Sequence, residues 1–143
     1  MSDGDLIALY SARILELTTH IPHLGRLDGA LGQGAARSPQ CGSTVSVEVA
    51  VRDGQITGFA QNVKACALGQ ASAAIFGAAI IGQKVADLPA LRGQVADMLA
   101  LGTAPPPAPF AQYEVLRAAQ TYKNRHASIL LCIDATIKAC AAV

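Results

Sequence analysis

The chain has 143 residues, enough for one domain, with 52% hydrophobic and 15% charged side chains, so it has ample apolar material for a core and disorder is excluded. Its formal net charge of +1 leaves no electrostatic footprint for nucleic acid or for an anionic membrane surface. Ala and Gly abound while aromatic residues make up only 4%, which implies a core built on close backbone approach.

The N-terminus, Met1-Ser2-Asp3-Gly4-Asp5, is polar and acidic and lacks the basic start and apolar run of a secretory signal. A cytoplasmic protein with reduced thiols is therefore expected. The four cysteines, at 41, 66, 132 and 140, contain no Cys-x-x-Cys pair, which excludes a zinc ribbon or a thioredoxin-like motif.

Residues 5–19 place Leu6, Leu9, Tyr10, Ile14 and Leu17 near helical spacing, and Pro22 and Gly25 end that helix. Residues 24–38 are rich in glycine and read as loop with a short edge strand. Residues 43–52 alternate Val45, Val47, Val49 and Val51 with Thr44, Ser46, Glu48 and Ala50, the pattern of a half-buried strand. Asp53-Gly54 signals a hairpin, and residues 55–64 form the returning strand.

Residues 65–82 carry no charge, but Ala and Gly dominate and Gln70 and Ser72 interrupt the run. A buried helix starting after Cys66 and stopping near Gly82 is expected, not a membrane span. A helix over 84–101 ends at Gly102. A polyproline-like stretch over 104–109 follows, then a short helix over 110–122 and a last helix over 127–142. The fold class is α+β: a small antiparallel sheet of about three strands, helices packed on one face, an N-terminal helix and a C-terminal helical segment, all in one domain over 1–143.

Cys41 sits in a Pro/Gly-flanked loop, Pro39-Gln40-Cys41-Gly42, open to a ligand. Cys66 sits where the second hairpin strand meets the Ala-rich helix. Unpaired N–H groups and the helix dipole there favour a thiolate, the form that soft metals and sulfur chemistry require. Taken alone, Cys66 reads equally as a small buried hydrophobe. His126, at the start of the last helix, is a metal ligand by chemistry and a surface or capping residue by position. Cys132 and Cys140 read as core fillers. Cys132 stands roughly 120° around the helix from His126. His20 and His23 read as solvated loop residues. No phosphate loop, dinucleotide fingerprint or Ser/His/Asp motif is present.

These pieces resemble the NifU/IscU family of iron–sulfur cluster assembly scaffolds. Ala65-Cys66-Ala67-Leu68-Gly69-Gln70-Ala71-Ser72-Ala73 resembles the family's second cysteine motif and is the most specific piece. Pro39-Gln40-Cys41-Gly42-Ser43 resembles its Cys-Gly-Asp loop, and Arg125-His126-Ala127-Ser128-Ile129-Leu130 resembles its His-Cys-Ser-Ile-Leu helix start. Tyr10-Ser11-Ala12-Arg13-Ile14-Leu15 is similar to the opening helix, and Ile21-Pro22-His23-Leu24-Gly25 to the Asn-Pro-Arg-Asn-x-Gly turn. His126 lies sixty positions after Cys66. That separation resembles the insertion-containing branch associated with zinc and sulfur transfer.

The resemblance implies a scaffold or carrier and not an enzyme. It implies Cys41, Cys66 and His126 as ligands of an iron–sulfur cluster or iron, Cys66 as sulfur acceptor, and a cysteine desulfurase and apo-protein acceptors as partners. Ser43 stands where the family has an acidic residue and Ala127 where it has a third cysteine, so Ser43 is left as a weak fourth ligand. The alternatives are a zinc-binding sulfur-transfer accessory protein and a degenerate paralogue that acts only as a protein-binding module.

Overall fold

A computed structural model describes residues 12–40 and 42–143. The expected N-terminal helix is seen over residues 12–18 (α1), and its earlier part lies outside the described residues. Three strands follow: β1 (Gly32–Arg37), β2 (Thr44–Arg52) and β3 (Gln55–Lys64). They form one antiparallel sheet in the order β1-β2-β3. The three principal later helices are α2 (Ala67–Ala79), α3 (Leu88–Leu101) and α4 (His126–Ala141). The α+β architecture expected from the sequence is the one observed.

The hairpin turn takes its shape from Asp53 and Gly54, both at positive φ (53° and 75°). That is the backbone of a two-residue turn matched to the twist of the flanking strands. Val45, Val47 and Val49 are buried on one face of β2, and α4 lies across that face against β1 and β2. α2 and α3 pack against α4 in turn.

β1 meets α4 backbone to backbone. A Cβ at Gly32 would collide with the carbonyl of Ala139, and one at Gly34 would collide with the amide of Ala139 and stand 2.5 Å from the carbonyl of Ala135. The short edge strand expected in this glycine-rich stretch is β1, and its glycines are what let it lie under a helix.

At the other edge, residues 23–25 add a short bridge to β3. Gly25 N donates to Gln61 O (3.1 Å) and Gln61 N to His23 O (2.9 Å). The buried Gln61 amide reinforces the turn by donating to Pro22 O (3.0 Å) and Ala73 O (3.2 Å). His23 sits at φ 60°, edge-on to Phe59.

The Ala-rich helix is shorter than the uncharged run that contains it. Among the described residues no helix is long and apolar enough to cross a membrane. Gly102 ends α3 in the left-handed conformation (φ 73°), its N–H bonded to Met98 O. Residues Ala111–Thr121, expected as an ordinary short helix, form a 3-10 helix. Tyr113, Leu116 and Ala119 are its buried residues, and a three-residue spacing falls on one face at three residues per turn.

Candidate functional site

Cys66 is the N-cap of α2, with extended backbone (φ −65°, ψ 171°) and its carbonyl accepting the first helical hydrogen bond from Gln70 N. Its side chain is half-buried. Burial alone would push the thiol up. The Ser128 hydroxyl, the Gly69 and Leu68 amides at the helix start and the charge of Arg125 outweigh that effect, so its pKa lies below the ordinary thiol value.

Ser128, in the first turn of α4, is only 1% exposed. Its Oγ lies 3.5 Å from Cys66 Sγ and donates to Ser43 Oγ at 3.1 Å. The approach depends on Gly69, because a Cβ there would stand 2.7 Å from Ser128 Oγ and 2.8 Å from Ala65 Cβ. Ser43 is itself buried, at 3% exposure. It closes a tight loop in which Ser38 N donates to Ser43 O (2.8 Å) and Gly42 N to Ser38 O (2.9 Å), with Gly42 at φ 70°. Two of the expected site residues, Cys66 and Ser43, thus meet on either side of Ser128.

Cys41 lies outside the described residues. His126 is half-buried as the first residue of α4. Its Nε2 contacts the carbonyls of Ala119 (2.9 Å) and Gln120 (3.2 Å) at the end of the 3-10 helix. Carbonyls only accept, so the neutral ring carries its proton on Nε2 and its lone pair on Nδ1. Among the described residues no three His, Cys, Asp or Glu side chains gather as a ligand set. Ala127, where the family pattern has a thiol, presents its methyl group to solvent.

Sequence reasoning missed Ser128 as a site residue. The signal was available only in hindsight: a polar side chain two positions past His126, at a helix start otherwise followed by Ile129, Leu130 and Leu131. The other cysteines behave as core. Cys132 is buried beside Ser72 Oγ (3.3 Å) and Tyr113 OH (3.8 Å), and burial pushes its thiol up to about 11. Cys140 is partly buried and its thiol is likewise raised by burial. His20 is exposed and bonds locally, its Nδ1 2.6 Å from Thr19 Oγ1.

The arrangement supplies an activated, accessible thiol at a helix N-terminus, a buried hydroxyl pair behind it, and an imidazole of assigned tautomer. The family model described as NifU-like N terminal domain matches residues 9–128. The solved NifU-like protein (N-terminal) from Brucella abortus is 38% identical, with a TM-score of 0.91 over 99% of this chain and 96% of that one. A candidate iron–sulfur cluster assembly scaffold of the SUF system from Fervidobacterium islandicum AW-1 shares the fold at 19% identity. Its TM-score is 0.76 over 90% of this chain and 94% of that one. No curated protein sequence matches the chain.

Proposed function

Because the chain belongs to the NifU-like N-terminal domain family, we propose that it is an iron–sulfur cluster assembly scaffold or carrier, with Cys41, Cys66 and His126 holding its cargo. The observation that carries the reading is the environment of Cys66. A thiol favoured as thiolate, half-exposed at a helix N-terminus, is what sulfur acceptance and soft-metal ligation both require.

Cys66 is the sulfur acceptor. Its thiolate attacks the terminal sulfur of a persulfide on a cysteine desulfurase. A new S–S bond forms at Cys66, the donor's S–S bond breaks, and the donor cysteine leaves as thiolate. The Leu68 and Gly69 amides stabilise the attacking anion before the transfer, joined by the Ser128 hydroxyl when it turns its single proton from Ser43 Oγ to the sulfur. The iron or cluster is cargo, taken by the thiolates of Cys41 and Cys66 and by Nδ1 of His126, the ring nitrogen that carries the lone pair. The Ser43 hydroxyl, bonded to Ser128 beside Cys66, is the weak fourth donor. With Ser43 and Ala127 in place of an acid and a thiol, the protein donates less negative charge, which suits a load that must be handed on. The protein acts as a carrier and not as a catalyst.

One observation favours a second reading, zinc with sulfur transfer. A histidine whose distal N–H is held by backbone carbonyls has the outer-shell support common among zinc ligands. Incubation with a persulfidated cysteine desulfurase, followed by mass spectrometry, tests the acceptor. One added sulfur atom on Cys66, absent in Cys66→Ala, supports it, and sulfur found only elsewhere rejects it. Metal analysis then separates the readings: iron with sulfide for the scaffold, one zinc per chain for the accessory protein. If neither metal nor persulfide is found, a module that only binds other proteins is left.

A further inference from the structure

Among the described residues the helices cover one face of the sheet and leave the other open. On that open face a groove of about 420 Å³ runs past Arg26, Gln33, Ser46, Glu48 and Asn62. A second, of about 400 Å³, runs past Thr44 and Lys64. Both include Ala35, Ser46 and Asn62, so they are one trough along β2. Its floor is low because register sets small side chains beside one another: Ala35 pairs with Ser46, and Ser46 with Asn62.

The two ends differ. At the far end Leu27 lies over Gly58, its methyls 3.2 and 3.3 Å from where a Cβ would stand. Glu48 is consumed there, accepting from Leu27 N (2.7 Å) and pairing with Arg26 (3.4 Å). At the near end the register aligns Arg37, Thr44 and Lys64 in one row. Among the described residues neither Arg37 nor Lys64 is in an ion pair, and both are exposed. Ser43 directly precedes Thr44, and Cys66 follows Lys64 by two residues. The cationic end of the trough thus lies at the strand ends from which the chain leads back to Ser43 and on to Cys66.

We propose that this trough is a docking track for an extended, acidic segment of a partner protein, which it guides toward Cys66. From Glu48 to Thr44 the strand rises roughly 13 Å, room for about four residues of extended chain. The exposed amide of Gln33, hydroxyl of Ser46 and amide oxygen of Asn62, whose Nδ2 already donates to Gly25 O (3.3 Å), suit a polypeptide backbone. Arg37 and Lys64 suit carboxylates at the end next to the site, and steering of this kind favours one partner sign over the other. Single-stranded nucleic acid is disfavoured, because among the described residues no aromatic side chain lines the trough to stack a base and Glu48 stands in its wall.

The test uses the metal-free full chain, so its outcome is independent of the cargo. The ¹⁵N-labelled protein is titrated with a hexapeptide of alternating Ser and Glu, with the matching Ser and Lys hexapeptide, and with a short oligothymidylate. The expected result is saturable movement of the Ala35, Ser46, Asn62 and Lys64 amides with the Glu peptide alone. Affinity is expected to fall roughly fivefold or more in Lys64→Glu, which reverses charge, and in Ser46→Tyr, which fills the floor without changing charge. Both positions are exposed, and unchanged signals from α4 verify the fold. The proposal is overturned by silence at those amides, by equal binding of the Lys peptide, by oligothymidylate moving the same amides as tightly, or by indifference of both variants. With wild-type protein alone, the contrast between the Glu and Lys peptides already decides it.

Discussion

Ser128 Oγ lies 3.5 Å from Cys66 Sγ, and it reaches that position because residue 69 has no side chain. Two helix starts, those of α2 and α4, are thereby brought together at one sulfur. The thiol gains a hydroxyl partner from a residue 62 positions away in sequence.

Removing that hydroxyl is expected to make Cys66 less reactive. Ser128 is among the groups that lower the Cys66 pKa against the effect of burial. In Ser128→Ala the pH–rate profile for alkylation of Cys66 by iodoacetamide therefore moves to higher pH. A hydrogen bond to an ionised group contributes about 1.5–3 kcal/mol, and half-exposure discounts it, so the rate at neutral pH falls roughly three- to tenfold. An unchanged profile means that the helix start and Arg125 alone set the thiol.

Gly69→Ala sets two effects against each other. Alanine favours helix by about 0.5–1 kcal/mol. The new methyl, however, stands 2.7 Å from Ser128 Oγ, 2.8 Å from Ala65 Cβ and 3.2 Å from Ser128 O. Overpacking of this kind costs about 1–3 kcal/mol and wins. Urea denaturation should show the loss. The double variant with Ser128→Ala should recover part of it, since the nearest obstacle is gone while the other two remain.

Gly34→Ala is expected to be more severe, about 3 kcal/mol or more, because the atoms in its way are backbone of α4 and cannot rotate aside. Gly93→Ala is the matched control. It lies within α3 with nothing within 4 Å of a Cβ, so it should stabilise by about 0.5–1 kcal/mol. Thermal or urea unfolding of the pair checks the contrast.

The same glycines explain what was legible in the sequence. β2 and β3 were plain, because valine alternation and Asp53-Gly54 are local signals and the turn answers to them directly. β1 was not. Gly32 and Gly34 serve contacts with Ala135 and Ala139, more than a hundred positions away in sequence, which no local pattern reveals. The 3-10 form of residues 111–121 was likewise hidden, because Tyr113, Leu116 and Ala119 choose their spacing against α2 and α3. In the site, Cys66 was legible from its place at a strand–helix junction. Ser128 and the tautomer of His126 were not, since both depend on partners brought by tertiary packing. Cys41 lies outside the described residues.

Cys132 makes stability depend on alkaline pH. Its folded pKa, about 11, is raised above the ordinary 9.0 by burial. Between those values the unfolded chain has lost the proton and the folded chain keeps it, so unfolding becomes easier as pH rises. The contribution is fully present below pH 9.0 and is lost as pH climbs through about 11. Tyr113, also raised by burial, adds in the same direction at still higher pH. Urea midpoints measured from pH 8 to 11 should fall, and less steeply in Cys132→Ala. Iodoacetamide should modify Cys66 before Cys132 in the native protein.

On the proposed function, Cys66 anchors the cargo of a cluster scaffold. Anaerobic reconstitution with ferrous iron and sulfide tests it most directly, read by visible absorption and by iron and sulfide content. The expected result is a sulfur-to-iron charge-transfer band with matching iron and sulfide in the wild-type protein, lost in Cys66→Ala and in Cys41→Ala and weakened in His126→Ala. A wild-type protein that takes up no iron or sulfide, or a Cys66→Ala variant that keeps the full band, would contradict it.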